Sequence, residues 1–543
     1  MNKFPNDPIF VNLLRLRQSV QGVLIHDEYG IDASPTDLIN DVTRLRETLR
    51  RDLPADWYDA KGLLRPNTGC IATISPSGYY FLVAFFAIAA LGGTCVALPT
   101  KATPDVTLKL LASANVSYIL AEPNTIQQAT DIKEQADNNI KIIQIERAAG
   151  CEFTFDSRAE IDESLSIDAS QPCMVTHTSG SSTGQPKCVV IPRRTFFFSG
   201  QADPDRVFLA FRPVHWMGGA SGLLARVLRG TRIHWPQRSF DPAMFWEIFK
   251  QGTITDVSFS SSLFKELEDY YLLNICGLPA DEREAYISGV GKIRDATISG
   301  SAMNPATAQF WIELTGMNIR NVYGSSELGG LALASGIGAQ YVDRCIGTPT
   351  PGAQIKLSNG DEGELLVKSP RMFTHYLNDE AATKKAFDED GFYKTGDLVR
   401  RVGGYYFFEG RVDSDWINFL DCKISVLELE EHLLRLSYIS EAHILPVLDH
   451  ETRGVAAALV RLNCGDSDIN LQRVRDDLSL GLERYKLPAL LYILKAEEEV
   501  PRAASDKVLK TQALDKFFRI RGYRPRDYHV DGVECLSNSE LVK

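Results

Sequence analysis

Thr178, Ser179, Gly180, Ser181, Ser182, Thr183, Gly184, Gln185, Pro186 and Lys187 follow one another without interruption. Small residues in succession let backbone N–H groups converge on an anion; the hydroxyls add donors and Lys187 adds positive charge. The apolar Met174-Val175 leads in and the strand-like Cys188-Val189-Val190-Ile191 leads out, so the string reads as a loop between strands. Its spacing is not that of a Walker loop. The chemistry it suits is phosphate binding. A Ser/Gly surface turn is the plain alternative, and the rest of the chain decides between them.

Further strings follow in order: Ser299-Gly300-Ser301-Ala302, Tyr323-Gly324-Ser325-Ser326-Glu327, and Gly391-Phe392-Tyr393-Lys394-Thr395-Gly396-Asp397. Then come Gly410-Arg411-Val412-Asp413 and Pro501-Arg502 with Lys507. Read together with the Thr178–Lys187 string, they resemble the adenylate-forming superfamily of acyl-CoA synthetases, adenylation domains and luciferases. The resemblance runs from about residue 60 to 515. Gly363–Pro370 and Lys423–Glu430 look like its malonyl- and medium-chain acyl-CoA synthetase branch.

The resemblance implies ATP-dependent activation of a carboxylic acid as an acyl-AMP, with transfer to coenzyme A. The Ser/Thr/Gly loop would hold the ATP phosphates, and Lys187 would neutralise departing pyrophosphate. Glu327 would bind Mg2+, since a hard cation prefers carboxylate oxygen. Ser326 stands where the family usually has threonine and keeps the hydroxyl. Tyr323 would stack on adenine, with Ser299, Gly300, Ser301 and Ala302 along its other edge and Gly324 and Ser325 beside them. Asp397 would accept from the ribose hydroxyls and Arg411 would add a donor; the plain reading of Arg411 is a surface pair with Asp413. Asp413 would be a hinge, and Lys507 would reach the carboxylate and α-phosphate from a mobile lid. His215, in Pro213-Val214-His215-Trp216-Met217-Gly218-Gly219, matches the loop lining the acyl pocket; packing beside Trp216 is its bland reading.

Several positions depart from the family. The phosphate loop carries an extra serine at Ser181-Ser182, and Cys188 replaces the glycine after the lysine. Ser414 is inserted beside the hinge, Asn418 replaces a common lysine, and Asp506 precedes Lys507 in place of glycine. Asp421 replaces a glycine beside the pantetheine tunnel, which supports adenylation better than thioester formation. An acceptor other than CoA, such as an amine, is therefore the second reading, and an inactive ligase fold that binds nucleotide or a partner is the third. After Ala302 no arginine precedes Gly316, and Phe310, Trp311, Ile312 and Leu314 are apolar. An apolar monocarboxylate is the expected acid.

These residues need a scaffold. Leu82–Leu91 and Val106–Ala114 read as helices, Thr94–Leu98 and Ser117–Ala121 as strands, and this alternation implies helix-covered parallel sheets. Strand-like Arg206–Phe211 and Thr231–Trp235 flank the helical Ser221–Leu228. Short strands with Gly-rich turns run from Gly352 to Val367. Val426–Arg435 reads as a helix, Ser440–Leu448 and Gly454–Leu462 as strands, and Leu471–Glu483 as a helix. The expected fold is α/β: a large N-terminal domain of helix-covered sheets with a β-subdomain at 1–410, a small mobile α+β lid at 411–520, and a loosely held tail at 521–543.

The 543 residues exceed one hydrophobic core, which accords with two domains. A net charge of -12 argues against a nucleic-acid binder. Ten cysteines without a CxxC pair suggest neither zinc nor a disulfide framework, and a cytoplasmic location is expected. Tyr79–Leu98 lacks charge, yet Gly92-Gly93 divides it into helix-like and strand-like parts, so no membrane span is expected. The partners implied are a small carboxylic acid and CoA; oligomeric state is not legible.

Overall fold

The computed structural model describes residues 3–66, 68–136, 139–147, 159–178, 187–198, 200, 203, 205–237, 241–300, 303–412, 415–420, 422–463, 469–502 and 508–536. It divides into two compact units. One takes the chain up to Thr178, Lys187–Gln354 and Val367–Tyr393; the other takes Ile355–Leu366 and the chain from Lys394 onward. The second unit thus begins before the Gly410 turn where the sequence suggested a boundary.

In the first unit, one sheet is built from β1 (Cys70–Ile74), β2 (Cys95–Ala97), β3 (Val116–Ala121), β4 (Lys141–Gln144), β5 (Pro172–His177) and β6 (Cys188–Pro192). Its order is β6-β5-β2-β1-β3-β4, with the short strand His375–Tyr376 outside β6. The strands from β5 to β4 run parallel, and β6 returns antiparallel to β5. The chargeless run forms α1 (Gly78–Ala90), in which every residue is buried, followed by β2. Phe81, Phe85 and Phe86 each contribute about 2–3 kcal/mol of burial, which explains why this run stays inside the protein.

The second sheet of this unit contains β7 (Val207–Leu209), β8 (Arg232–Trp235), β9 (Asp256–Phe259), β10 (Asp295–Ile298), β11 (Ile319–Ser325), β12 (Gly330–Ala334) and β13 (Cys345–Pro349). The order is β13-β12-β11-β10-β9-β7-β8, continued by Ile25–Asp27 and Ile31–Ala33. From β11 to β8 all pairs are parallel. Their C-terminal ends therefore share one edge, the place where open α/β sheets bind ligands. Helix α2 (Met217–Leu228) joins β7 to β8; α3 (Ser261–Tyr270) follows β9 and α4 (Pro305–Thr315) follows β10. Trp311 of α4 stacks on Trp246 at 5.7 Å and donates its indole N–H to Phe264 O, while Phe310 and Leu314 pack on the same core. These residues, from which an apolar acid was expected, serve the helix packing.

The second unit opens with β14 (Gln354–Asn359), β15 (Glu362–Lys368), β16 (Tyr393–Val402) and β17 (Tyr405–Arg411), in that spatial order. A hairpin of β18 (Trp416–Phe419) and β19 (Cys422–Ser425) leads into α5 (Val426–Leu434). The last sheet runs β20-β21-β22-β23, formed by Ile439–Asp449, Arg453–Leu462, Leu490–Ile493 and Val533–Cys535. Residues 521–536 depart from the loose tail expected: β23 pairs with β22, and buried Arg524 donates to Asp449 at 2.9–3.0 Å.

Candidate active site

The phosphate string lies on the β5–β6 hairpin. Ser179–Gly184, with Gln185 and Pro186, fall outside the described residues, but both feet of the loop are described. Thr178 donates its backbone N–H to Lys187 O, and Lys187 donates its own to Thr178 Oγ1, both at 3.0 Å. The strand register sets Cys188 opposite His177 just below.

Lys187 Nζ lies 4.7 Å from the centre of the Tyr376 ring. Tyr376 reaches it because Val189 of β6 pairs with Tyr376. The Tyr376 hydroxyl donates to Glu327 Oε1 at 3.0 Å. Burial first, then the charge of Glu327, pushes the Tyr376 and Tyr393 phenols far above their usual range, so both stay protonated donors. A cation and a carboxylate are thus held on either side of one tyrosine. Among the described residues no carboxylate pairs with Lys187. This juxtaposition suits a group that is itself part anion and part cation, such as a metal-bound polyphosphate.

Glu327 hangs from the turn between β11 and β12, fixed by Phe373 N–H donating to Glu327 O at 2.8 Å. The hairpin needs Gly324, because a Cβ there would come within 2.0 Å of Gly330 O. Tyr323, Gly324 and Ser325 end β11, Ser326 follows in the turn, and Ser299 and Gly300 follow β10. Adjacent parallel strands thus carry the residues expected beside adenine to one edge. Ser301 and Ala302 lie outside the described residues.

His215 packs edge-on against Trp216 at 5.5 Å, and this accounts for its bland reading. Burial, then the neighbouring His177, also pull its pKa down to about 4. Burial alone lowers His177 to about 4, and neither of its ring nitrogens has a hydrogen-bond partner among the described residues. His177 was missed by the sequence reading. Its signal was an imidazole ending an apolar strand one residue before Thr178.

The second unit holds the proposed ribose pair. Gly396 has φ +72, a backbone that glycine adopts without a Cβ penalty. Around that bend, Gly396 N–H donates to Glu364 Oε1, Thr395 Oγ1 donates to Leu365 O, and Asp397 N–H donates to Thr395 Oγ1. The register sets Asp397 opposite Arg411, whose Nη1 lies 2.9 Å from Asp397 Oδ1. Arg411 is therefore engaged by a buried carboxylate. Asp413 and Lys507 lie outside the described residues, as do Ser414, Asp421 and Asp506. The chain flanking Lys507 is closed by a bridge between Arg502 and Val508 and by Leu509 N–H donating to Pro501 O. Among the described residues no three acidic, cysteine or histidine side chains form a metal cluster, so Glu327 would supply a single ligand. That fits Mg2+, which keeps waters and substrate phosphates around one or two carboxylates.

A family model described as AMP-binding enzyme matches residues 59–377, more than half of the chain. An acyl-CoA ligase of Aspergillus oryzae, oryP, is 34% identical and covers 99% of this chain and 97% of its own length. A mitochondrial malonate–CoA ligase of Xenopus laevis, ACSF3, is 25% identical, with 82% of this chain and 83% of that protein covered. The solved structure of ATP-bound MatB from Rhodopseudomonas palustris matches with TM-score 0.76 at 19% identity, over 93% of this chain and 97% of that one, a likeness of fold.

Proposed function

The chain belongs to the family of AMP-binding enzymes and is an AMP-forming acyl-CoA ligase, and from that premise we propose how its residues divide the work. In the first half-reaction the acid's carboxylate attacks the α-phosphorus of ATP, and pyrophosphate leaves. In the second, the CoA thiol loses its proton and attacks the acyl carbonyl, and AMP leaves.

The observation that carries this reading is the Lys187–Tyr376–Glu327 line at the foot of the phosphate loop. Lys187 meets the growing negative charge of the leaving pyrophosphate. Preorganised positive charge at such a point is worth roughly a hundred- to a thousand-fold in rate. Glu327 would hold Mg2+, whose chemistry when bound is to screen the phosphates and orient them. Tyr376, protonated throughout, keeps the Glu327 carboxylate aimed. Tyr323 stacks on adenine, Asp397 accepts from the ribose diol, and Arg411 sets the rotamer of Asp397 by pairing with it. His215, neutral at working pH, contacts the acid without repelling the Lys507 ammonium. Lys507 then bridges the carboxylate and α-phosphate, and Asp413 is the pivot between half-reactions. A cytoplasmic home remains part of the proposal, supported by the free state of the eight described cysteines.

Pyrophosphate release and acyl-CoA formation, followed over a panel of carboxylic acids, test this. Lys187→Ala, Lys507→Ala and Asp397→Ala are each expected to slow pyrophosphate release about 100-fold or more. An unaffected Lys507→Ala would remove the mechanism. Acyl-AMP that accumulates without acyl-CoA would assign a different acceptor.

A further inference from the structure

The turn Ser75-Pro76-Ser77-Gly78 joins β1 to α1, and at this turn the two sheets of the first unit touch. Asp27 and Trp235, register partners in the second sheet, both reach it. Trp235 donates its indole N–H to Pro76 O at 3.0 Å, and its ring lies so near Gly78 that a Cβ there would stand 2.4 Å away. Ser77 Oγ donates to Asp27 Oδ2 at 2.6 Å. Glu122, the residue after β3, completes the joint from the first sheet. Asp27, Ser75, Ser77 and Glu122 are all buried.

The two carboxyl groups of the joint are held differently. Asp27 accepts from Ser77 Oγ, Tyr29 N–H and Tyr79 N–H, a set of donors that suits a charged carboxylate. Glu122 Oε1 is buried with no hydrogen-bond partner. Glu122 Oε2 lies 2.5 Å from Ser75 Oγ and 3.3 Å from Ser77 N. Ser75 Oγ also lies 2.7 Å from Ser77 O, a carbonyl that can only accept. The one Ser75 hydroxyl hydrogen serves that carbonyl, so the hydrogen in the short contact with Glu122 belongs to Glu122. A charged Glu122 would be buried with one oxygen unsatisfied and the Asp27 charge across Ser77, whereas a neutral one needs no counter-charge. Burial and the Asp27 charge push its pKa up, against the pulls of Ser75, Ser77 and Asn124. Around the pair, Tyr29 and Tyr80 are phenols whose own pKa values are raised by burial and then by Glu122. Arg147 lies over the Tyr79 ring, Asp41 accepts from the Tyr79 hydroxyl, and His26 pairs with Asp32.

We propose that Glu122 keeps its proton in the folded protein at neutral pH, and that this proton is a pH-sensitive lock on the joint between the two sheets. Protonated, Glu122 donates to Ser75 Oγ, Ser75 Oγ to Ser77 O, and Ser77 Oγ to Asp27, one directed chain from the first sheet to the second. Loss of the proton makes the Ser75 hydroxyl choose between the carboxylate and Ser77 O. It also sets two buried charges on either side of Ser77, the residue that caps α1. The folded chain holds this proton more tightly than the unfolded chain does. The stability it contributes is therefore complete below the ordinary carboxylate range and is lost as pH rises through the folded value.

The test reads the proton by infrared spectroscopy and the lock by thermal melting, both on the full chain. Wild type minus Glu122→Gln should show a protonated-carboxyl band at neutral pH that fades as pH is raised. Glu122→Gln has the shape of the neutral acid and an amide donor for Ser75. It should melt within about 1 °C of wild type in mild acid and above it by about 2 °C or more in alkali. Ser75→Ala removes the acceptor of the proton and should bring the fading of the wild-type band to lower pH. That variant also assigns the band should Glu122→Gln fail to fold. No difference band at neutral pH, a melting difference that is the same at every pH, or a band that persists to higher pH in Ser75→Ala would each overturn the proposal. The last result would mean that Ser75 donates to a charged Glu122.

Discussion

At the scale of single residues, the foot of the loop carries one cation with no carboxylate partner among the described residues and lies beside two uncharged histidines. Lys187 faces a ring in place of a carboxylate, and His177 and His215 are held neutral by burial. The histidines make a pH prediction. An unfolded histidine takes up its proton near pH 6.5, while these two resist until about pH 4. Each therefore contributes stability that is complete above about pH 6.5 and lost as pH falls toward 4, up to about 3 kcal/mol apiece. His177→Phe should melt closer to its neutral-pH temperature at pH 5 than wild type does. Equal acid sensitivity of the two proteins would mean that His177 is hydrated.

At the scale of elements, two short devices present the functional groups. The β11–β12 hairpin closes on Gly324, where a methyl would press into Gly330 O. Gly324→Ala should spread the hairpin, displace Tyr323 and Glu327 together, and cut pyrophosphate release by about 100-fold with the circular dichroism of the fold retained. The second device fixes both legs of the chain flanking Lys507. On one side Arg502 donates to Glu441; burial raises the Glu441 pKa, but the hydrogen bonds and charges of His443 and Arg461 hold it at about 2. On the other, Lys510 donates to Asp415 at 2.8 Å, and Asp415 also accepts from Arg411 N–H. Asp415 thus ties the end of β17 to the start of α6 (Lys510–Ala513). Lys510→Met should slow acyl-AMP formation about 10-fold yet spare thioester formation from supplied acyl-AMP, and Lys510→Arg should restore the first step. Equal slowing of both steps would reduce the pair to a support of the fold.

At the scale of the molecule, the second unit ends later than its sequence suggests. Arg524 and Asp449 are both almost wholly buried, and breaking such a pair leaves a buried charge, at a cost of about 3–5 kcal/mol. Arg524→Met should lower the urea midpoint accordingly, and an unchanged midpoint would restore the loose tail. The contrast with the rest of the chain shows where sequence reading succeeds. The parallel α/β plan, the small-residue loop between two strands and the family of AMP-binding enzymes were legible, because apolar runs and small-residue strings act on their own neighbours in the chain. What stayed hidden was pairing at a distance. Tyr376 meets Glu327 across 49 residues and Lys187 through a strand register, Arg411 meets Asp397 through another register, and the apolar residues of α4 face the core. Charge type is written in the chain, whereas counter-charge, burial and protonation arise only when distant segments share one space.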